Sequence, residues 1–124
     1  MIKNTIDTST KELVTSIISG IQEKKGKEIL KIDLTTIDNI YTEFFIICTG
    51  DSNRQVSAIT DSIAREVKEK NGIKAYHVEG KENSLWVLMD YGNILVHIFQ
   101  PETRNHYKLE DLWADGETER IEEG

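Results

Sequence analysis

Three histidines and one cysteine are the side chains of this sequence best suited to bind a metal ion or attack a substrate. His77, His97 and His106 are not one helical turn apart, and no second cysteine completes a Cys-x-x-Cys pair, so the ligand spacings of a zinc site are missing. Cys48 ends the apolar run Phe44–Cys48, where a thiol is typically a small core side chain rather than an activated nucleophile. We therefore predict no metal, no cofactor and no catalytic role for these side chains.

The turn Thr49–Ser52 is the second candidate for chemistry, because it joins a strand to a helix, where backbone N–H groups can bind an anion. It contains neither Gly-x-Gly-x-x-Gly nor Gly-Lys-Ser/Thr. Nucleotidyl transfer would also need a close carboxylate pair to hold metal ions, and the next strand offers Tyr76–Glu79 instead. We favour a helix N-cap without a ligand and a protein that is not an enzyme. The alternative is a small nucleotidyltransferase-like enzyme or nucleotide-binding domain that uses this turn.

Trp86, Asp90 and Tyr91 suit a different task, the binding of a partner. A large aromatic side chain buries much area at small entropic cost, and a neighbouring carboxylate selects a cationic partner. The competing interpretation is a core tryptophan followed by turn residues, since tryptophan is highly buried on average. The sequence leaves both interpretations open.

The composition indicates one soluble globular domain. The chain has 124 residues, 38% of them hydrophobic and 30% charged, which is enough for one core and gives no sign of a second domain. No apolar run approaches the roughly 20 residues of a membrane span. Met1–Asn4 lacks the features of a signal peptide, and the single Cys48 cannot form an internal disulfide. We expect a cytoplasmic protein that does not contact a membrane.

The charge distribution argues against direct DNA binding. The formal net charge is -7, whereas binding driven by phosphates relies on clustered lysine and arginine. Acidic side chains crowd the end of the chain, so we predict a flexible acidic tail at residues 114–124; a basic partner for it is the alternative. Four charged residues just before this tail are expected to be solvated helix charges: Glu102, Arg104, Glu110 and Asp111.

A β-hairpin must position Trp86. Leu85–Asp90 and Asn93–Phe99 are two apolar runs, and Gly92 can adopt the positive φ of a tight loop between them. The alternation of side chains then separates two faces. One face is aliphatic and should be core: Leu85, Val87, Met89, Ile94, Val96 and Ile98. The other must be covered by a helix or offered to a partner: Trp86, Leu88, Asp90, Leu95, His97 and Phe99.

The remaining elements follow from apolar spacing and helix caps. Phe44–Cys48 is continuously apolar, as in a central strand covered on both faces. Strand, helix and strand in that order imply a parallel pair, and the hairpin adds antiparallel strands, so we predict a single-domain α/β fold with a mixed sheet flanked by helices. The other predicted elements are a helix from the capping box Ser9–Glu12 to Lys24–Gly26, a strand at Leu30–Leu34, a polar connection at Thr35–Asn39, a helix from the capping box Ser52–Gln55 to Asn71–Gly72, a strand at Lys74–Glu79, a helix at Glu102–Tyr107 after Pro101, and a docked patch of Leu109, Leu112 and Trp113.

Several segments together resemble one known family. They are Phe44–Gly50 with Ser52, Val78–Gly80, Trp86–Gly92, Val96–Phe99, and the closing residues Arg104, Tyr107, Leu109, Glu110, Leu112 and Trp113. In this order they resemble the ribosomal silencing factor family, also called the Iojap or RsfS family. The resemblance covers residues 1–113 and excludes the acidic end. It implies a domain similar to the nucleotidyltransferase fold without its catalytic acids.

The resemblance also implies a function that needs no chemistry. Family members bind the large ribosomal subunit through ribosomal protein fourteen, block association with the small subunit and so repress translation under nutrient limitation. Carried over by position, it suggests a partner surface of Trp86, Leu88, Asp90 and Tyr91, with Glu79 as a second acid. The resemblance also implies that some members form homodimers when free, so we expect that the same surface could serve self-association. A homodimeric scaffold without a ribosomal role is a further alternative. Asn93 departs from the family, whose members often have Asp there.

Overall fold

The structure is a computed structural model that describes residues 8–38 and 40–124. In the described part of the chain four helices flank one six-stranded sheet, whose strand order is β3-β4-β5-β2-β1-β6. This confirms the predicted mixed α/β fold. The elements are α1 (Thr8–Glu23), β1 (Lys27–Asp33), β2 (Phe44–Thr49), α2 (Asn53–Asn71), β3 (His77–Glu79), β4 (Trp86–Asp90), β5 (Ile94–Phe99), α3 (Pro101–Tyr107), α4 (Leu109–Leu112) and β6 (Glu117–Ile121).

The predicted hairpin is confirmed. β4 and β5 pair antiparallel, and Tyr91 N–H donates to the carbonyl of Ile94 at 2.9 Å across a tight loop in which Gly92 has φ +87°. The aliphatic face of the hairpin is buried as predicted, except that Leu85 lies just before β4 and is 46% exposed. The aliphatic face of the hairpin is therefore part of the core, and only the opposite face can contribute to a binding surface.

The parallel pairing predicted for the two strands on either side of α2 is wrong, because the parallel partner of β2 is β5 and not β3. Phe44 lies opposite Ile94 and Thr49 opposite Phe99, and all six residues of β2 are buried, as expected of a central strand. β3 follows α2 in the chain but lies at the sheet edge beside β4, separated from β2 by two strands. The crossover from β2 through α2 therefore passes over the hairpin.

α1 and α2 cover the aliphatic face of the sheet and approach each other closely. Ser62 Oγ donates to the carbonyl of Gly20 at 2.8 Å, and a Cβ on Gly20 would lie 2.8 Å from Ile63 Cα. Ser52 caps α2 by accepting from Gln55 N–H, and Gly72 ends it with φ 67°, as predicted. Gln55 does not complete the capping box, because its Oε1 accepts from Asp51 N–H instead.

Two clusters form the core, one on each face of the sheet. Apolar side chains of α1 and α2, such as Ile17 and Ile63, pack on the aliphatic face. The smaller cluster on the opposite face consists of Ile32, Leu34, Phe45, Ile47 and Phe99. Among the described residues, the long helices α1 and α2 lie on the other face, and this second face is partly covered by α4 and by the connection after β1. The last residue of the predicted connection Thr35–Asn39 lies outside the described residues.

The prediction of a flexible acidic tail is wrong for Glu117–Ile121. These residues form β6, which pairs antiparallel with β1 and places Ile121 opposite Ile29. Gly116 makes the approach possible, since a Cβ there would lie 2.7 Å from Ile32 Cγ2. The strand was missed because four of its five side chains are exposed, so it carries no apolar alternation. Backbone hydrogen bonds to β1, rather than burial of its side chains, hold this segment in a strand.

Candidate partner-binding surface

Four of the five side chains predicted to face a partner, those of Trp86, Leu88, Asp90 and Glu79, lie on the sheet surface opposite α1 and α2. Across this surface Trp86 lies beside Phe99, Leu88 beside His97 and Asp90 beside Leu95, and β3 extends the rows by placing Glu79 beside Leu88. We call the surface formed by Trp86, Leu88, Leu95, His97 and Phe99 the aromatic face. Glu79 lies at one side of this face on the edge strand β3, and Asp90 lies at the turn end of β4, two residues beyond Leu88.

Trp86 is half-buried, with one side of its ring packed inside the protein. The ring stacks on Phe99 at a centroid distance of 4.9 Å and lies at the same distance from Tyr107 of α3. Its Nε1–H donates to His97 Nδ1 at 3.1 Å. Trp86 is thus neither a fully enclosed core residue nor a free side chain, and its remaining surface is held in one orientation, which lowers the entropy lost when a partner binds.

Tyr91 does not belong to this surface, and its assignment as a partner contact is contradicted by burial. Only 5% of the residue is exposed, and it packs in the cluster beneath α1 and α2. Burial raises the pKa of the Tyr91 hydroxyl to about 12. The reason is the alternation of side chains along β4: Tyr91 follows Asp90 by one position and therefore points to the opposite face.

The two acids differ in how freely they can meet a partner. Glu79 is exposed on β3. Asp90 is half-buried, and its Oδ1 accepts from Gly92 N–H at 2.7 Å, so it also stabilises the hairpin turn. Asn93, the departure from the family pattern, donates through Nδ2 to Thr10 Oγ1 at 2.8 Å and ties the turn to α1. Asp could not make this donation.

His97 lies in the middle of the aromatic face and is 5% exposed. Its ring meets Phe45 edge-on at a centroid distance of 4.8 Å and stacks on Phe99 at 6.2 Å. Burial lowers the pKa of His97 from 6.5 to about 4, so the ring is neutral at pH 7. Sequence reasoning placed His97 on this face of the hairpin but missed its hydrogen bond from Trp86. The hairpin register makes the two residues diagonal neighbours, so the signal was present.

Arg104 is a buried cation that holds the C-terminal helices on the sheet. Its Nη1 donates to the carbonyl of Glu28 at 2.7 Å and to Thr49 Oγ1 at 2.8 Å, while its Nε donates to Glu110 Oε1 at 3.1 Å. The prediction that Arg104 is a solvated helix charge is wrong, because only 7% of the residue is exposed. Glu110 is half-buried, whereas Glu102 and Asp111 are exposed as predicted.

The segment after Arg104 borders the aromatic face. Leu109 and Trp113 pack on the second core cluster, with Trp113 edge-on to Phe45 at 5.4 Å, which confirms their predicted docking. Leu112 does not dock and is 73% exposed, and Tyr107 is also exposed. The aromatic face therefore continues into exposed apolar side chains on α3 and α4.

The turn Thr49–Ser52 uses its polar groups internally. Gly50 N–H donates to the carbonyl of Phe99, Asp51 N–H to Gln55 Oε1, and Thr49 Oγ1 accepts from Arg104. The Asp51 carboxylate forms an ion pair with Lys27 at 2.8 Å. These contacts leave the turn poorly suited to hold a phosphate.

The other candidate chemistry finds no support in the geometry. Cys48 is fully buried, and desolvation raises the pKa of its thiol to about 12, so it carries no nucleophilic thiolate near neutral pH. Within residues 8–38 and 40–124, His, Cys, Asp and Glu form no group of three or more that could hold a metal ion. None of the described helices is long and apolar enough to cross a membrane.

Comparison with known proteins decides the family. The model of the family described as "Ribosomal silencing factor during starvation" matches residues 7–124, nearly the whole chain. The chain belongs to the ribosomal silencing factor family. Ribosomal silencing factor RsfS of Halalkalibacterium halodurans is 34% identical over 114 residues, which are 92% of this chain and 96% of that protein.

A solved structure and a mouse protein are also similar to this silencing factor family member. A crystal structure of a Chromobacterium violaceum protein superimposes with a TM-score of 0.79 at 36% identity and covers 84% of this chain and 85% of that one. The mouse protein named "Mitochondrial assembly of ribosomal large subunit protein 1" is 29% identical over 103 residues, 82% of this chain and 45% of that protein. The family resemblance inferred from sequence is confirmed, and the match extends through β6.

Proposed function

We propose that the protein represses translation in the cytoplasm by binding the large ribosomal subunit through ribosomal protein fourteen, which sterically blocks the small subunit when nutrients are scarce. Family membership supports a ribosomal role, and the name of the mouse relative supports the large subunit. The observation that carries the proposal is the aromatic face itself: a preorganised tryptophan among half-buried aliphatic side chains, with neither α1 nor α2 over it.

The proposed contact surface consists of Trp86 and Leu88, with Asp90 at the turn end of β4 and Glu79 on the neighbouring strand β3. A buried aromatic anchor surrounded by apolar contacts is the usual centre of a protein interface. The two carboxylates favour a partner that carries lysine or arginine, as ribosomal proteins commonly do, and they steer its approach. Occlusion of the small subunit requires only that this contact be made, so no catalytic group is needed.

Two truncations test the surface. Leu88→Ala removes a half-buried side chain without breaking a hydrogen bond, and Trp86→Ala removes the aromatic anchor. We expect both variants to remain folded by circular dichroism and to co-sediment with purified large subunits at least about tenfold more weakly than the parent. Glu69→Ala, on the exposed side of α2, is the matched control and should bind normally. Unchanged co-sedimentation of folded Leu88→Ala and Trp86→Ala would reject this surface.

A charge series at Asp90 tests the expected cationic partner. Asp90→Asn removes the charge but keeps an oxygen that can accept from Gly92 N–H, so the turn is preserved. Asp90→Lys adds repulsion to the loss of attraction. Binding should decrease from the parent to Asn and further to Lys, and the parent should lose affinity as salt is raised. Equal binding of Asp90→Asn and Asp90→Lys would contradict a cationic neighbour.

Self-association through the aromatic face is the second part of the proposal. If the same surface serves both contacts, dimerisation and ribosome binding compete. Light scattering coupled to size exclusion should then give a dimer for the parent and a monomer for Leu88→Lys, and added large subunits should dissociate the parent dimer. A Leu88→Lys variant that stays dimeric would place self-association on another surface.

A further inference from the structure

The outer edge of β3 is an end of the sheet beside the aromatic face. β3 pairs with β4 on one side, and among the described residues no strand pairs with its other side. All three of its residues are exposed, including Val78 at 44%. An unpaired edge of this kind presents backbone N–H and C=O groups to any strand that can reach them. The edge is therefore a candidate docking site.

The hydrogen bonds of the hairpin show which backbone groups of β3 point outward. Leu85 and Tyr91 both bond on the β5 side. Alternate residues of an antiparallel strand bond to opposite neighbours, so the odd-numbered residues of β4 face β5 and the even-numbered residues face β3. Leu88, which lies opposite Glu79, therefore uses its backbone groups to bond to β3. The same alternation along β3 directs the N–H and C=O of Val78, the residue before Glu79, away from the sheet.

We propose that a second copy of this chain binds at this edge, with the two β3 strands antiparallel and the two Val78 residues opposite each other. In this register the two Val78 residues exchange N–H to C=O hydrogen bonds, and the two sheets become one continuous sheet. The inference rests on the self-association proposed above and deepens it by naming the strand and the register.

The side chains of β3 are complementary to themselves in this register. His77 of one copy lies opposite Glu79 of the other, so an imidazole N–H can donate to a carboxylate. The contact is isologous, so this pair is made on both sides of the two-fold axis. The Val78 side chains meet at the axis, and the exposed Tyr76 lies two residues before Val78. Pairing therefore also removes apolar surface from water.

The opposite edge of the sheet does not offer the same contact. β6 carries Glu117, Glu119 and Arg120, and four of its five residues are exposed. Charged side chains on an edge strand disfavour pairing with another chain. An antiparallel pair of β6 strands centred on Glu119 would place this acid opposite its own copy, which is repulsive. The charge pattern thus selects β3 as the edge for self-association.

The strand pairing also explains why self-association and ribosome binding should compete. Glu79 belongs to the proposed contact surface, so its pairing with His77 of the second copy withdraws it from a cationic partner. Leu88 lies beside Glu79, and Leu88→Lys would offer that carboxylate a competing ammonium. The monomer expected for Leu88→Lys agrees with this contact.

Val78→Pro tests the backbone contact. Proline lacks an N–H, and the N–H of Val78 points away from β4, so the pairing of β3 with β4 is kept while the exchange between copies is lost. Light scattering coupled to size exclusion should give a dimer for the parent and a monomer for Val78→Pro that is folded by circular dichroism. Val78→Thr keeps the N–H and the β-branched shape and is the matched control, which should remain a dimer. A monomeric parent, or a folded Val78→Pro dimer, overturns the inference.

A charge series tests the register and also covers failure of Val78→Pro to fold. His77→Glu places carboxylates opposite each other on both sides of the axis, so the dissociation constant of the dimer should rise about tenfold. His77→Glu combined with Glu79→Lys restores opposite charges and should recover dimerisation. Analytical ultracentrifugation measures both constants. An unchanged constant for His77→Glu, or no recovery in the double variant, rejects the register and the inference with it.

Binding to purified large subunits separates this inference from the proposed ribosomal contact. Val78→Pro leaves Trp86 and Leu88 unchanged, so it should bind large subunits at least as tightly as the parent. If Trp86→Ala and Leu88→Ala bind normally while Val78→Pro is monomeric, the ribosomal surface fails and the strand pairing stands. If Leu88→Lys is monomeric while folded Val78→Pro stays dimeric, the aromatic face itself carries self-association and the strand pairing is rejected. Weaker subunit binding by folded Val78→Pro, with a monomeric parent, would assign the edge to a ribosomal strand instead.

Discussion

Replacement of Arg104 by methionine, which keeps an unbranched apolar stem and removes the guanidinium, should destabilise the fold strongly. The substitution removes donors to the carbonyl of Glu28, to Thr49 Oγ1 and to Glu110 Oε1. Breaking a buried ion pair by removing one partner costs about 3–5 kcal/mol, because the other charge is left without compensation. The side chain of Glu110 is 28% exposed and regains some hydration, so we expect a loss near the lower end, about 3 kcal/mol.

Urea unfolding followed by circular dichroism measures this loss, and thermal melts should show Tm lower by about 10 °C, at roughly 3–5 °C per kcal/mol for a domain of this size. The control is Arg65→Met on α2, whose half-exposed guanidinium lies 3.9 Å from Glu23 and should contribute less than about 0.5 kcal/mol. Glu110→Gln in a double-mutant cycle should give a coupling energy of at least about 1 kcal/mol with Arg104→Met. A loss below about 1 kcal/mol, or additive effects, would refute the role assigned to this ion pair.

Three further predictions concern pH and packing. The pKa of His97 lies at about 4 in the folded chain, against 6.5 ordinarily, so as pH falls from 6.5 to 4 the unfolded chain binds a proton before the folded chain does, and the free energy of unfolding decreases by about 3 kcal/mol. Urea melts should show this decrease for the parent and not for His97→Phe. If the two free energies of unfolding change with pH in parallel, the prediction is contradicted. Burial raises the pKa of Cys48 from 9.0 to about 12, so the unfolded chain loses its thiol proton first and stability falls as pH rises above 9; Cys48→Ala should reduce this alkaline decline, and an identical decline would count against the assignment. Gly116→Val would place a Cβ 2.7 Å from Ile32 Cγ2 and 2.9 Å from the carbonyl of Asp33, so β6 should separate from β1. The free energy of unfolding should then drop by about 1–3 kcal/mol, and the amides of β1 should exchange hydrogen faster. Unchanged exchange would show that β6 tolerates the larger side chain.

The elements predicted from sequence are those whose own side chains carry the signal. The hairpin follows from a two-sided alternation around Gly92, and β2 from an unbroken apolar run. β6 was missed because pairing with β1 is a backbone interaction between residues 84 to 92 positions apart, and most of its side chains remain in water. The local pattern of apolar and polar residues therefore cannot reveal such an edge strand.

The residues of the candidate surface were predictable where strand alternation alone places them. Trp86, Leu88, Asp90 and Glu79 lie on one face because strict alternation on paired strands places them there, and the same rule, had it been applied to the next residue, would have excluded Tyr91. Arg104 could not be identified as buried from its neighbours in sequence. Its acceptors come from β1, from the end of β2 and from α4, which only the folded chain brings together.

The parallel pairing of β2 with β5 constrains the order in which the chain can fold. β2 lies between β1, which precedes it closely, and β5, whose partner residues come about fifty positions later. Until β5 arrives, one hydrogen-bonding edge of the most apolar strand remains open, and such an edge can pair with other chains. The rate-limiting step of folding should therefore be the capture of β2 by the finished hairpin, and a fragment that ends before Ile94 should aggregate rather than fold.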